Sequence, residues 1–163
     1  MEKITTKFIA RTAMLAALYT AITLAIAPIA YGAIQFRISE ILVLLVFFDK
    51  KHFWGLTLGC FIANCFSPLG VYDIVFGTIA TAVSLAGIIF IRNKLGDNIK
   101  ALLIASLSPV VFNGLIVGME LTVLFKELPF ILNAAYVAVG ELVTVSILGV
   151  VIMNKIGRRL SEM

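Results

Sequence analysis

Residues 101–125 read ALLIASLSPVVFNGLIVGMELTVLF, an apolar run in which Asn113 and Glu120 are the most polar side chains. A bilayer crossing takes about 20 residues as a helix, so this run alone is long enough to span. Working outward, comparable runs cover 8–27, 73–91 and 130–153, and two shorter ones cover 37–48 and 53–66. Turn-forming or charged clusters separate them: Pro28, Asp49-Lys50-Lys51-His52, Ser67-Pro68-Leu69-Gly70, Arg92-Asn93-Lys94-Leu95-Gly96-Asp97 and Lys126-Glu127-Leu128-Pro129. A basic tail with Lys155, Arg158 and Arg159 follows the last run.

The composition agrees. Of 163 residues, 61% are hydrophobic and 13% charged, against about half and a quarter in soluble domains. The mean hydropathy is +1.10. A soluble fold of this length has too little interior for so much apolar surface. The expected fold is an all-α membrane protein with six transmembrane helices, the second and third short. It fills one domain over residues 1–163. Short helices at membrane depth must be packed in protein or line a cavity. Lys3, Lys7 and Arg11 stand before and at the start of the first run, as in a signal peptide. The run is long for that and further spans follow, so a retained helix is expected.

Charge orients the chain. With the N-terminus inside, the inner connections hold Lys3, Lys7, Arg11, Lys50, Lys51, Arg92, Lys94, Lys100, Lys155, Arg158 and Arg159, and the outer side holds Arg37 and Lys126. This positive-inside asymmetry predicts both termini in the cytoplasm. It also accounts for the pI near 9.2 without a nucleic-acid partner.

Catalytic and metal motifs do not appear. There is no Gly-x-x-x-x-Gly-Lys-Ser/Thr phosphate loop, no His-Glu-x-x-His and no Gly-x-Ser-x-Gly. The chain is not expected to be an enzyme, to hydrolyse ATP itself or to hold a cofactor. His52 alone builds no histidine metal site, and Cys60 and Cys65 read as reduced thiols in an apolar segment. A carrier or binding subunit is the class left.

Ionisable groups inside spans are costly and point to function. Glu141 stands near the middle of the sixth run, 11 residues after Phe130 and 12 before Met153. Asn133 and Thr144 lie on a nearby face. Glu120 lies in the outer part of the fifth run, with Asn113 on the same face. Asn64 is near the outer end of the third, and Asp73 opens the fourth. Arg37 and Glu40 are spaced to pair. For several of these groups two readings stand. Arg37–Glu40 is either an ion pair holding the outer loop or part of a binding site. Asp73 is an N-cap or a ligand group. Asn64 and Asn113 are interhelical glue or bidentate partners. Tyr31, Phe36, Phe66, Tyr72, Phe76, Phe130 and Tyr136 gather near the outer mouth, as an interfacial belt or as stacking surfaces. Carboxylates beside aromatics suit a flat, donor-rich, cationic heterocycle.

Ala13, Ala17 and Ala21 repeat every four residues in the first run. Such a strip admits a closely packed helix, either from within the protein or from a partner.

Two blocks resemble the QueT family. The first is Leu18-Tyr19 with Ile22-Thr23-Leu24-Ala25-Ile26-Ala27-Pro28, Tyr31-Gly32 and Ile34-Gln35-Phe36-Arg37-Ile38-Ser39-Glu40. The second is Gly59-Cys60-Phe61-Ile62-Ala63-Asn64, Ser67-Pro68-Leu69-Gly70, Asp73-Ile74-Val75-Phe76-Gly77-Thr78 and Ala80-Thr81. The resemblance covers the first half of the chain and implies a substrate-binding (S) component of a bacterial energy-coupling factor transporter in the cell membrane. The implied substrates are 7-deazaguanines such as 7-aminomethyl-7-deazaguanine, queuine or queuosine. The implied partners are a transmembrane coupling subunit, docked on an Ala-x-x-x-Ala motif matching Ala13 and Ala17, and two ATPases. It names no binding residues. On physical grounds Glu141 and Glu120 are the expected acceptors and Asn64 and Asn113 the bidentate partners. Arg37 would orient Glu40 or a carbonyl, Tyr31 and Phe36 would close over the ring, and Asp73 completes the set. An S component for another vitamin, a structural membrane subunit, and a secondary transporter with a proton site at Glu141 share the general features.

Overall fold

Thr5 starts the first helix, its side chain accepting the Phe8 N–H at 3.2 Å, which satisfies one of the donors a helix start leaves open. The computed structural model describes residues 5–31 and 36–162. Lys3 and residues 32–35, part of the first block of resemblance, lie outside the described residues. Helix α1 runs Thr6–Ala25. It ends before Pro28 rather than at it. Pro28 sits in the first turn of a short α2, Ala27–Ala30, where its missing N–H has no partner to lose.

The expected short helix over 37–48 is instead a 3-10 helix, Ile38–Leu44, that widens into α3, Leu45–Phe48. Every residue from Ser39 to Phe47 is buried. Over those residues the segment is wrapped in protein, while Ile38 at its start is exposed. A 3-10 helix rises about 2.0 Å per residue against about 1.5 Å for α. These few residues therefore reach deeper than an α-helix of equal length would.

Helix α4, His52–Asn64, packs on α1 through glycines. A Cβ on Gly59 would stand 2.8 Å from Tyr19 Cβ and 2.9 Å from the Ala16 carbonyl oxygen. Next come α5, Val71–Leu95, and α6, Ile99–Phe125. Gly70 and Gly96 flank α5 with φ of 60° and 81°, backbone that most L residues avoid. Asn98 caps α6 by accepting from the Ala101 N–H at 2.9 Å. The Ser108 hydroxyl donates to the Ser84 carbonyl at 2.8 Å, tying α6 to α5.

The last stretch is unbroken but not uniform. It comprises α7, Phe130–Glu141, a π-helical segment, Leu142–Gly149, and α8, Val150–Glu162. The helix therefore continues past Met153, and the basic tail belongs to it. Gly149 faces the 3-10 segment, where an added Cβ would lie 3.2 Å from Leu44 Cδ1. The two irregular segments thus pack against each other in the interior.

Among the described residues four helices are long and apolar enough to cross a membrane: Thr6–Ala25, Val71–Leu95, Ile99–Phe125 and Phe130–Leu160, with Ile38–Phe48 a shorter apolar helix. Long apolar side chains such as Trp54, Phe90, Val111, Ile131 and Val151 point outward. Buried polar groups and an apolar exterior suit a lipid surrounding. The basic connections collect at one end. Arg158 and Arg92 reach Asp97 at 2.5 and 3.4 Å, Arg92 lies over Phe47 at 5.3 Å, and Lys7, Arg11, Lys50 and Lys51 line one cleft.

Near that end lies the main apolar core, including Leu44, Leu56, Leu85, Ile88, Leu102 and Met153. A separate small cluster of Ala80, Val117, Leu121 and Val137 sits toward the other end.

Candidate functional site

Near and between these clusters is a buried polar layer. Arg37 comes from the strand-like entry to the 3-10 helix, and its Nη2 donates to both Asp73 carboxylate oxygens at 3.2 Å. Asp73 lies in the first turn of α5 but does not cap it, since Gly70 holds the N-cap position. The expected pairing of Arg37 with Glu40 gives way to this pair. One guanidinium nitrogen shared between both oxygens of a fully buried carboxylate makes a charge-assisted contact, while the Glu40 carboxylate is taken by Tyr19 and Thr81. Tyr31 lies against the guanidinium, 5.6 Å from ring centroid to Cζ, and its hydroxyl donates to the Ala63 carbonyl at 2.6 Å. Tyr31 is thereby fixed between Arg37 and the end of α4. Phe36 is half-buried beside it in sequence.

Glu40 is fully buried and is held from two other helices. The Tyr19 hydroxyl of α1 donates to its Oε1, as does the Thr81 hydroxyl of α5 at 3.2 Å. Sequence reasoning assigned no role to Tyr19, Thr81 or Cys60. Yet the Cys60 thiol meets the Thr81 hydroxyl at 3.2 Å, and Thr23 meets Ser39 at 2.6 Å. A legible signal existed: Tyr19 and Thr23, four apart, are the polar members of one face of α1, opposite the alanine strip.

Asn64 ends α4 and donates to the Asp73 carbonyl at 3.0 Å. Gly77 lies under both, and a Cβ there would come within 2.7 Å of Asn64 Nδ2 and 2.8 Å of Asp73 Oδ1. Glycine is required here by close approach.

On the opposite wall, Asn113 of α6 donates to Glu141 Oε1 at 2.7 Å. Glu141 is the last residue of α7 before the backbone widens into the π segment, a distortion that recurs at functional sites. Thr144 turns back to the Gly140 carbonyl at 2.8 Å, and Asn133 donates to Thr122 at 2.9 Å. The Thr144 hydroxyl also reaches the Glu141 backbone carbonyl at 3.4 Å, but neither it nor the Asn133 amide serves the Glu141 carboxylate. Glu120 is buried, and neither carboxylate oxygen has a protein partner among the described residues.

The two walls face each other. The charge of Arg37 is felt at Glu40 and Asp73, and also at Glu120 and Glu141. Of these carboxyl groups, Asp73 touches the guanidinium. Several acceptors remain without a protein partner among the described residues: Glu40 Oε2, Asn64 Oδ1, Asn113 Oδ1, both oxygens of Glu120 and Glu141 Oε2, together with the Arg37 Nε donor. Such atoms normally find partners when buried, because desolvation costs about 1–3 kcal/mol each. Together they form an acceptor-rich surface matched to a ligand that brings several N–H donors. Phe66, Tyr72, Phe76 and Tyr136 do not join it. They are exposed, as an interfacial belt requires.

Ala13, Ala17 and Ala21 are all exposed on α1, whereas Leu15, Ala16, Tyr19 and Thr23 are its buried face. Packing of the strip inside the protein is thereby excluded.

Long apolar helices around a buried polar layer make this a polytopic membrane protein. The family model for the QueT transporter matches residues 9–158, and the chain belongs to that family, a family of transporters rather than enzymes. The queuosine precursor transporter QueT of Lactococcus lactis subsp. cremoris (strain MG1363) is 36% identical over 170 aligned residues, covering 98% of this chain and 97% of the relative. No solved structure matches the chain.

Proposed function

We propose that this chain is the substrate-binding component of an energy-coupling factor importer and captures a queuosine precursor of the 7-deazaguanine class from outside the cell. The observation that carries the reading is a buried layer holding Arg37, Glu40, Asp73, Glu120 and Glu141, in which several acceptor oxygens have no protein partner among the described residues. The edge of a deazaguanine presents N–H donors in a row, which a carboxylate accepts in parallel. An aminomethyl substituent adds a cation that the surplus of carboxyl groups attracts. The name of the Lactococcus relative agrees in substrate class.

In this reading Glu141 and Glu120 accept from the ring, with Asn113 and Asn64 beside them. Arg37 is held by Asp73 and Tyr31, and Glu40 by Tyr19 and Thr81. Residues 38–48 and α4 serve as short second and third crossings, giving six in all. Both termini and the basic end then face the cytoplasm of a bacterial cell. Uptake is driven by partner subunits, a transmembrane coupling protein and two ATPases, since the chain has no phosphate loop. The exposed alanine strip of α1 supports docking by a partner helix.

The experiment is thermal unfolding of the purified protein with a panel of 7-deazaguanines, guanine and unrelated vitamins. A ligand at 100 times its Kd stabilises its target by about 2.7 kcal/mol. Stabilisation by deazaguanines alone supports the reading, and stabilisation by a different vitamin or by no compound overturns it. Uptake by the chain without any ATPase partner would instead make it a secondary transporter.

A further inference from the structure

At the basic end, away from the polar layer, the protein opens a cleft of about 890 Å³ between the start of α1 and the turn leading into α4. Among the described residues its lining carries Lys7 and Arg11 from α1 and Lys50 and Lys51 from the turn, against one acidic residue, Asp49. Asp49 is already engaged locally, its Oδ1 accepting the Lys51 N–H at 2.9 Å. The rest of the wall combines Thr5, Thr12 and His52 with apolar and aromatic side chains, Phe8 and Trp54 among them. Trp54 is 63% exposed.

A general charge asymmetry needs basic residues near a membrane face, but it does not need them to converge on one concavity. Here two separate elements supply cations to a single cleft that also offers apolar walls. That combination matches a molecule with an anionic head and a hydrocarbon body. Basic pockets between helices at the cytoplasmic surface bind anionic lipid headgroups, and an indole favours the level of the headgroups. We infer that this cleft is a binding site for an anionic phospholipid, with the headgroup phosphate between Lys7, Lys50 and Lys51 and an acyl chain against Phe8 and Trp54. The site requires only that the basic end meet a membrane surface.

Trp54 is the one tryptophan in the chain, so selective indole excitation reads the cleft alone. The purified protein is placed in phosphatidylcholine nanodiscs carrying a minor fraction of brominated phosphatidylglycerol or, in parallel, brominated phosphatidylcholine. Quenching of Trp54 should reach half-maximum at a several-fold lower mole fraction of the anionic lipid. Lys7→Gln with Lys50→Gln should abolish that preference, by about fivefold for each lysine neutralised, while deazaguanine binding and melting temperature stay unchanged. Equal quenching by both lipids overturns the site, as does a preference that survives the double variant. Inorganic phosphate and glycerol phosphate form the control arm. A fluorescence change with these soluble anions that matches the lipid response would make the site a phosphate site and overturn the lipid assignment.

Discussion

The two halves of the molecule are built on opposite rules. Toward the basic end the interior is a continuous apolar core in which Leu56, Leu85 and Ile88 are fully buried. Toward the other end the apolar cluster shrinks to four buried residues, and the interior holds Arg37, Glu40, Asp73, Glu120 and Glu141, all nearly inaccessible. Apolar contacts are satisfied on folding by their neighbours alone. Buried acceptors without protein partners are not, and each lowers stability until something donates to it. The first half holds the helices together, and the second, in the proposed function, keeps binding capacity in reserve.

Four substitutions break or sharpen that contrast, from the largest expected effect to the smallest. Arg37→Ala removes the cation of the buried polar layer and leaves Asp73 buried without its partner. A broken buried pair costs about 3–5 kcal/mol, so the melting temperature in detergent should fall steeply. Adding Asp73→Asn should restore part of it, and simple additivity of the two losses would show that the pair is not coupled.

Leu102→Ala tests the other half. Leu102 is 2% exposed in the main core, and a cavity there should cost about 2–5 kcal/mol in unfolding stability. Ligand affinity of the folded protein should be unchanged, since the residue is 18 positions along α6 from Glu120. A matching loss of affinity would show that the halves are mechanically linked.

Glu141→Gln should do the reverse. It preserves shape but replaces an acceptor with a donor facing the ring, at about 2–4 kcal/mol, or roughly 30- to 900-fold in affinity. Isothermal titration with a deazaguanine reads this directly, and an unchanged Kd would move the acceptor role to Glu120.

The smallest effect on the isolated protein belongs to Ala17→Trp. Ala17 is exposed, so stability should change by less than about 0.5 kcal/mol and ligand affinity hardly at all. Co-purification with a coupling subunit should be lost, along with uptake. Intact assembly in both Ala13→Trp and Ala17→Trp would remove the strip from any docking surface.

Run length and hydropathy were enough to place the long helices, because a helix in lipid must satisfy its own backbone and cover about 30 Å. The same logic marked 37–48 and 53–66 as too short to face lipid alone, and the burial of Ser39–Phe47 agrees for the first. Glu141, Glu120, Arg37 and Asp73 were legible as costly residues in apolar runs. Their company was not. Spacing of three suggested Arg37 with Glu40, whereas the guanidinium reaches 36 positions along the chain to Asp73. Tyr19 and Thr81 escaped notice because a lone hydroxyl in an apolar run carries no signal until a carboxylate is brought beside it.

By itself the sequence determined the class, the segments, the gathering of basic residues at one end and the identity of the buried charges. These follow from the solvent each residue must meet, a property local to the chain. Tertiary structure alone decided which charges are neighbours, that Ala13, Ala17 and Ala21 face outward while Ala16 meets Gly59, and that a 3-10 segment packs on a π segment through Gly149. Those outcomes depend on how closely separate helices approach. Close approach is set by side chains distant in sequence, which no local pattern records.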